Sequence, residues 1–297
     1  MKILKFLFLA LIILLIYQYR DYIIYQIMVM SVDNSNSIEN SYTKEQKLGY
    51  VKLYDKEKLT SKEDIINAYY TILNNGYDTY TITCDSEYKD CMKDFNEISN
   101  DPSLLSHINN FVSPYNSFST INSKSYNVAN IEISPVKIYD DVSIAAINGA
   151  IDGIYKKIIK PDMTKREQIK AFHDYIINKT KYDSDRANNQ SSKYDSNTAF
   201  GPLFQGMGIC SGYSDAMALF LDKIGVENHR IASESHVWNH VNLDGVWYHL
   251  DLTWDDPILS SGANRLDDTY FLISTKELEK NDIEEHGIDT NIYMEAK

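Results

Sequence analysis

Positive charge is in short supply along this 297-residue chain, where 29 Lys and Arg stand against 42 Asp and Glu for a formal net charge of -13. Nucleic-acid binding rests on cationic contacts to phosphates, so this balance excludes a nucleic-acid partner. Cysteine is rarer, with three residues in all. None precedes Cys84, which leaves the N-terminus without a thiol for lipid attachment. Cys84 and Cys91 have no tightly spaced Cys or His beside them, as a zinc cluster would need. Two states stay open for that pair: a disulfide closing a small loop in an exported protein, or two free buried thiols.

A full-length apolar run is also missing. Lys2 and Lys5 precede the stretch Phe6 to Tyr17, and Arg20-Asp21 close it. This falls short of the roughly 20 apolar residues that a membrane span needs, although the patch Tyr22 to Met30 could lengthen it. No small-x-small cleavage site follows. Residues 1–31 therefore read as an uncleaved membrane anchor, charged end inside and the bulk of the chain outside, with a cleaved secretory signal as the alternative. Hydrophobic residues at 43% and charged residues at 24% are ordinary globular composition, so the remainder has material for a real core.

Behind the anchor, residues 32–59 are polar and read as a tether. Residues 60–159 read as an N-terminal α/β module. Thr60 and Glu63 have capping-box spacing and open a helix through about Leu73, which Asn75-Gly76 ends. Tyr77 to Cys84 alternates as a strand, Ser86 to Ile98 has helical periodicity, and Asp101 to Val112 forms a further short helix. Tyr126 to Tyr139 supplies one strand or two, broken at Pro135. Asp140-Asp141 caps a helix carrying Ile144, Ile147, Ile151, Ile154 and Ile158.

The final domain, residues 160–297, opens with a second capping box at Thr164 and Glu167. Its helix puts His173 on a stripe with Ile169, Phe172 and Ile176, where a satisfied core histidine is the expected role. The polar stretch Asp183 to Asn197 is long for a loop and is expected to border a groove. After it comes Cys210, with an amphipathic run through Ile224 and a left-handed cap at Gly225. That places the cysteine at the first turn of a helix, where unpaired N–H groups and the dipole favour a thiolate.

Asp244-Gly245 is a two-residue hairpin signal. A loop of these two residues sets His240 opposite His249, Trp238 opposite Asp251 and His236 opposite Thr253. Side chains alternate with period two, so His236, Trp238, His240, His249 and Asp251 project from one face. His236 and His240 are both diagonal neighbours of Asp251, about 7–8 Å away at the backbone. Spacing does not choose between them. Asp255 and Asp256 lie beyond the paired region. Thr269 to Ile273 reads as a short strand, and the tail through Lys297 carries no signal.

Thr198 to Leu203, Gly208-Ile-Cys210-Ser-Gly212-Tyr213, His236-Val-Trp238 and Asp251-Leu-Thr-Trp254 together resemble the bacterial transglutaminase-like superfamily over residues 160–260. The resemblance implies an α+β fold with a papain-like core, a cysteine-bearing helix packed on an antiparallel sheet. It implies Cys210 as nucleophile, His236 as its base and Asp251 as the orienting acid, so it selects His236 over His240. An enzyme of this type attacks a peptide or protein amide, forms a thioester, and passes the acyl group to an amine or to water. No cofactor is implied. Gln205 is a candidate oxyanion donor, and Trp238 and Trp254 are candidate cleft walls. Two other readings remain: a silent peptide-binding module of the same fold, and a metal site built from His236, His240, His249 and Asp251.

Overall fold

The computed structural model describes residues 2–20, 23, 37, 39–44, 50–126, 129–256, 267–281 and 285–297. The N-terminal helix α1 (Lys2–Gln18) leaves Phe8, Leu11, Ile13 and Leu14 more than half exposed. Among the described residues no helix is long and apolar enough to cross a membrane. Most of the Tyr22 to Met30 patch and much of the tether lie outside the described residues.

The upstream unit is a three-stranded sheet packed by three helices. Helix α2 (Lys62–Asn74) is capped one residue later than its capping-box spacing suggests. Ser61, not Thr60, receives the Asp64 N–H at 3.2 Å. Thr60 binds the Asp64 carboxylate instead, through its N–H at 2.8 Å and its hydroxyl at 2.6 Å. Strand β1 (Tyr80–Thr83) is shorter than its alternation suggested. Helix α3 (Cys91–Ser99) begins five residues late, because residues 85–90 form turns and Cys91 is bonded to Cys84. Helix α4 (Pro102–Asn110) takes Asp101 as its cap.

Strand β2 (Phe118–Ser125) was invisible to periodicity, being polar and largely exposed along its length. It pairs with β3 (Asn130–Lys137), which also pairs with β1 in the order β1-β3-β2. Strand β3 runs through Pro135 instead of breaking there. Its β1 partner stops at Ile133, so the proline sits where only the β2 side is paired.

Helix α5 (Asp141–Ile158), read from periodicity as the end of the upstream module, buries Ile147, Ile151 and Ile154 in the second core. There it joins α6 (Lys165–Ile177), whose Thr164–Glu167 capping box is formed as expected. The short pair β4 (Lys181–Tyr182) and β5 (Met207–Gly208) is parallel, with one-turn helix α7 (Ser184–Ala187) between them. Helix α8 (Cys210–Lys223) follows, then an antiparallel sheet of β6 (Asn228–Ala232), β7 (Val237–Leu243), β8 (Val246–Leu250) and β9 (Phe271–Ile273). Helix α9 (Thr275–Asn281) closes the order.

This sheet has two buried faces. Ile231, Trp238 and Trp247 face the upstream core, and Val241 and Leu250 face the core built on α5, α6 and α8. A residue and its opposite number share a face while neighbours alternate, so one strand serves both cores. The architecture is the expected α+β one, with the cysteine-bearing helix laid across an antiparallel sheet.

Candidate active site

Cys210 is the first residue of α8 and the one free thiol among the described residues, partly exposed. The first helical bond runs from the Tyr213 N–H to the Ile209 carbonyl at 3.1 Å. The N–H groups at the start of the helix therefore have no intrahelical acceptor, and no acidic side chain occupies the first turn. At the far end Gly225, with φ 67°, stops the helix as its left-handed cap.

The chain just upstream fixes this helix start. The Ile209 N–H donates to Ser196 at 2.8 Å, and the Ser211 hydroxyl donates to Asn197 at 3.0 Å. Asp183 ties the loop by accepting from Ser192 and Ser196 at 2.6 Å each. Gly212 is needed because a β-carbon there would lie 2.2 Å from the Ser196 carbonyl and 2.9 Å from that of Thr198. The end of the polar stretch 183–197 thus packs beneath the Cys210 turn.

His236 and Asp251 stand just outside the paired rungs of the hairpin. Its register matches expectation from Leu243 opposite Val246 to His240 opposite His249, and pairing ends at Asn239 opposite Leu250. Beyond those rungs His236 bonds Asp251 Oδ2 through Nε2 at 2.5 Å, while its carbonyl still accepts the Ser233 N–H from the β6 side at 3.0 Å. Cys210 also acts on this imidazole and favours its charged form. The plane of the ring is set by Trp238, stacked at 5.7 Å, and by the edge of Trp254 at 6.4 Å.

The electrostatics follow from these neighbours. Burial disfavours an imidazolium, but the Asp251 charge and hydrogen bond, with Cys210 adding to them, push His236 up to about 10. Burial works against the Asp251 carboxylate as well. It is outweighed by His236 and His286, which hold the group well below the usual carboxylate range. Asp251 Oδ1 accepts the N–H of Thr253 at 2.8 Å and of Trp254 at 3.3 Å, a tight turn that orients the carboxylate.

Other expected residues lie elsewhere. His240 and His249 do not meet Asp251. His240 Nδ1 faces His229 Nε2 at 3.2 Å, and His249 accepts from the Trp238 indole at 3.1 Å while its Nε2 meets Thr275 at 2.9 Å. The four-residue metal set is therefore not assembled. Gln205 spends its amide on Asp195, accepting its N–H at 2.7 Å and donating to its carboxylate at 2.9 Å, so it is a loop latch and not a free donor. Trp238 is buried in the core and walls no cleft, whereas Trp254 is half-buried beside His236. Asp255 pairs with His173 at 3.0 Å and Asp256 with the Tyr213 hydroxyl, so neither competes for His236. His173 is the satisfied core histidine its helix stripe suggested. Cys84 and Cys91 are joined as a disulfide.

One residue of the site had no signal in the sequence. His286, from the polar C-terminal tail, is fully buried and places Nε2 2.9 Å from Asp251 Oδ2. A single histidine 35 residues beyond its carboxylate has no spacing to betray it. Donor atoms of His236, Asp251 and His286 lie within 4.8 Å of one another, the one group among the described residues with metal-ligand types so close. The oxygen a cation would use is already shared by two imidazole N–H groups, so the set is better satisfied as hydrogen bonds.

Residues 152–252 match the model of the transglutaminase-like superfamily. A solved structure described as the crystal structure of a TGase aligns over 59% of this chain and 52% of its own, at 16% identity and a TM-score of 0.35. The aligned part spans about half the length of that protein. No curated protein matches.

Proposed function

We propose that the transglutaminase-like domain at residues 152–252 is that of a thiol enzyme acting on peptide or protein amides through Cys210, His236 and Asp251. The observation that supports this reading is the bond from His236 Nε2 to the buried Asp251 carboxylate, with Cys210 among the groups that act on the same imidazole. His236 takes the thiol proton, and Asp251 stabilises the imidazolium that results. The thiolate then bonds to the amide carbon. The oxyanion so formed meets the Cys210 N–H at the open helix start. When the carbon–nitrogen bond breaks, the amine leaves with the proton held by His236, and a thioester remains on Cys210. An incoming amine or water, deprotonated by His236, attacks the thioester and releases the thiol.

The setting of this chemistry is proposed as extracytoplasmic, with the chain tethered by its N-terminal segment. The exposed apolar side chains of α1 and the Cys84–Cys91 bridge support it, since disulfides persist in oxidising compartments. A membrane-fraction assay on the full chain tests the tether.

The test of the nucleophile is labelling with iodoacetamide, followed by peptide mass mapping. Cys210 is expected to react faster than a free model thiol at neutral pH. Cys210→Ala should abolish labelling and turnover, with the circular dichroism spectrum unchanged. Slow, ordinary-thiol labelling of the wild type would remove the basis for the enzyme reading.

A further inference from the structure

Asp251 has two histidine partners, and the proposed chemistry uses one. His236 and His286 both direct Nε2 at the same oxygen, Oδ2, at 2.5 and 2.9 Å. Asp251 is held ionised and is buried, so it has only lone pairs to offer. Both imidazoles must therefore donate, which puts a proton on His286 Nε2. The Oδ1 atom is separately occupied by the backbone N–H groups of Thr253 and Trp254. Those two bonds fix the carboxylate plane, so its orientation does not depend on His286.

What His286 changes is the charge left for His236. A hydrogen bond to the charged form of a carboxylate stabilises it and weakens its pull on any other proton. The His286 ring has little freedom to leave. It stacks on Tyr270 at 5.2 Å and lies against Trp238 at 5.0 Å and Trp254 at 5.3 Å. The titratable groups around this cluster are His236, Asp251, Asp255, Cys210, Tyr182, Glu285, Tyr270 and His249, drawn from six separate segments.

We infer that His286 is a positioning residue for the proposed reaction, sharing the Asp251 oxygen with His236 and limiting how tightly that carboxylate holds the His236 proton. The inference rests on the thiol-enzyme reading. Its consequence lies at the step where His236 returns its proton to the leaving amine. An Asp251 engaged by His236 alone would bind that proton too firmly, slowing acyl transfer without impairing thiolate formation.

The experiment is an NMR titration of 15N-histidine-labelled protein, with iodoacetamide labelling in parallel. In the wild type, His286 Nε2 is expected to carry the proton. In His286→Phe, which keeps the ring stacking and loses the donor, the His236 titration should move up by about half a unit to one unit. Turnover of an amide or ester substrate should fall roughly tenfold while Cys210 labelling persists, and His286→Gln, which can donate, should restore most of it. A structural role alone would lower the folded fraction and leave the His236 titration in place. An unmoved titration in folded His286→Phe overturns the inference, as does an Nδ1–H tautomer in the wild type should that variant not fold. Stoichiometric bound metal in the wild type, lost in His286→Phe, also overturns it. Slow wild-type Cys210 labelling would instead defeat the enzyme reading itself.

Discussion

The stability of this protein should peak near pH 6.5, because five of its buried histidines divide into two sets that titrate in opposite senses. His229, His240 and His249 pack together with Trp247 between the upstream core and the second sheet. Burial comes first among the causes and holds all three neutral, pushing His229 and His249 down to about 3 and His240 well below its ordinary value. Below pH 6.5 the unfolded chain takes up three protons that the native state refuses. Stability is then lost at about 1.4 kcal/mol per pH unit for each. Asp256, raised to about 6 by burial, opposes one of the three, because between pH 3.8 and 6 it keeps a proton in the native state only.

For these four groups the net is two protons, about 2.7 kcal/mol per pH unit, or about 5 kcal/mol between pH 6.5 and 4.5. That is comparable to the whole stability of a typical domain. On the alkaline side the sign reverses. His236 keeps its proton in the native state up to about 10, so its contribution is complete below pH 6.5 and declines as pH rises through that window, by about 3 kcal/mol at pH 9. His173, also raised, adds to this alkaline loss.

Urea unfolding followed by tryptophan fluorescence from pH 4.5 to 9.5 measures the dependence directly. His240→Phe should reduce the acid slope by about one proton, since it removes one titrating group and keeps an aromatic ring in place. A flat acid limb in the wild type, or an unchanged slope in the variant, would refute the argument.

Two substitutions probe the ground on which the site is built. Gly212→Ala puts a β-carbon 2.2 Å from the Ser196 carbonyl, so the helix start must shift; a loss of about 1–3 kcal/mol and slower Cys210 labelling are expected from thermal melts and alkylation rates. Replacing both Cys84 and Cys91 with Ser opens a loop of sequence separation 7 and should cost about 2–3 kcal/mol, read from urea midpoints. Because the bridge lies in the upstream unit, Cys210 labelling of the folded double variant should match the wild type; a large drop would contradict this.

Local signals carried far in this chain. The Thr164–Glu167 box, the Gly225 cap and the Asp244-Gly245 turn are each written in a few adjacent residues, and each formed as read. Ser274 and Glu277 form the same reciprocal pair before α9, at 2.9 and 3.3 Å, so the tail carries a local helix-start signal of its own. Strand β2 had no such mark, because apart from Phe118 and Ile121, which pack on the upstream core, its side chains are exposed and hydrophobic alternation has little to record. The cap at Ser61 instead of Thr60 shows the limit of spacing when two hydroxyl residues are adjacent.

The amino-acid order by itself determined the cysteine at a helix start, the hairpin register, and an acid and three histidines on the same ribbon. It did so because these depend on backbone periods and turn chemistry acting over a few residues. Spacing left open which histidine meets Asp251; in three dimensions the β7–β8 rungs stop at Asn239 and Leu250, and His236, lying beyond them, is the one whose Nε2 reaches the carboxylate. His286 arrived from the tail, and α5 joined the second core, by the same kind of contact between distant segments. Such contacts depend on how separate surfaces fit and exclude water, and no short run of residues encodes that.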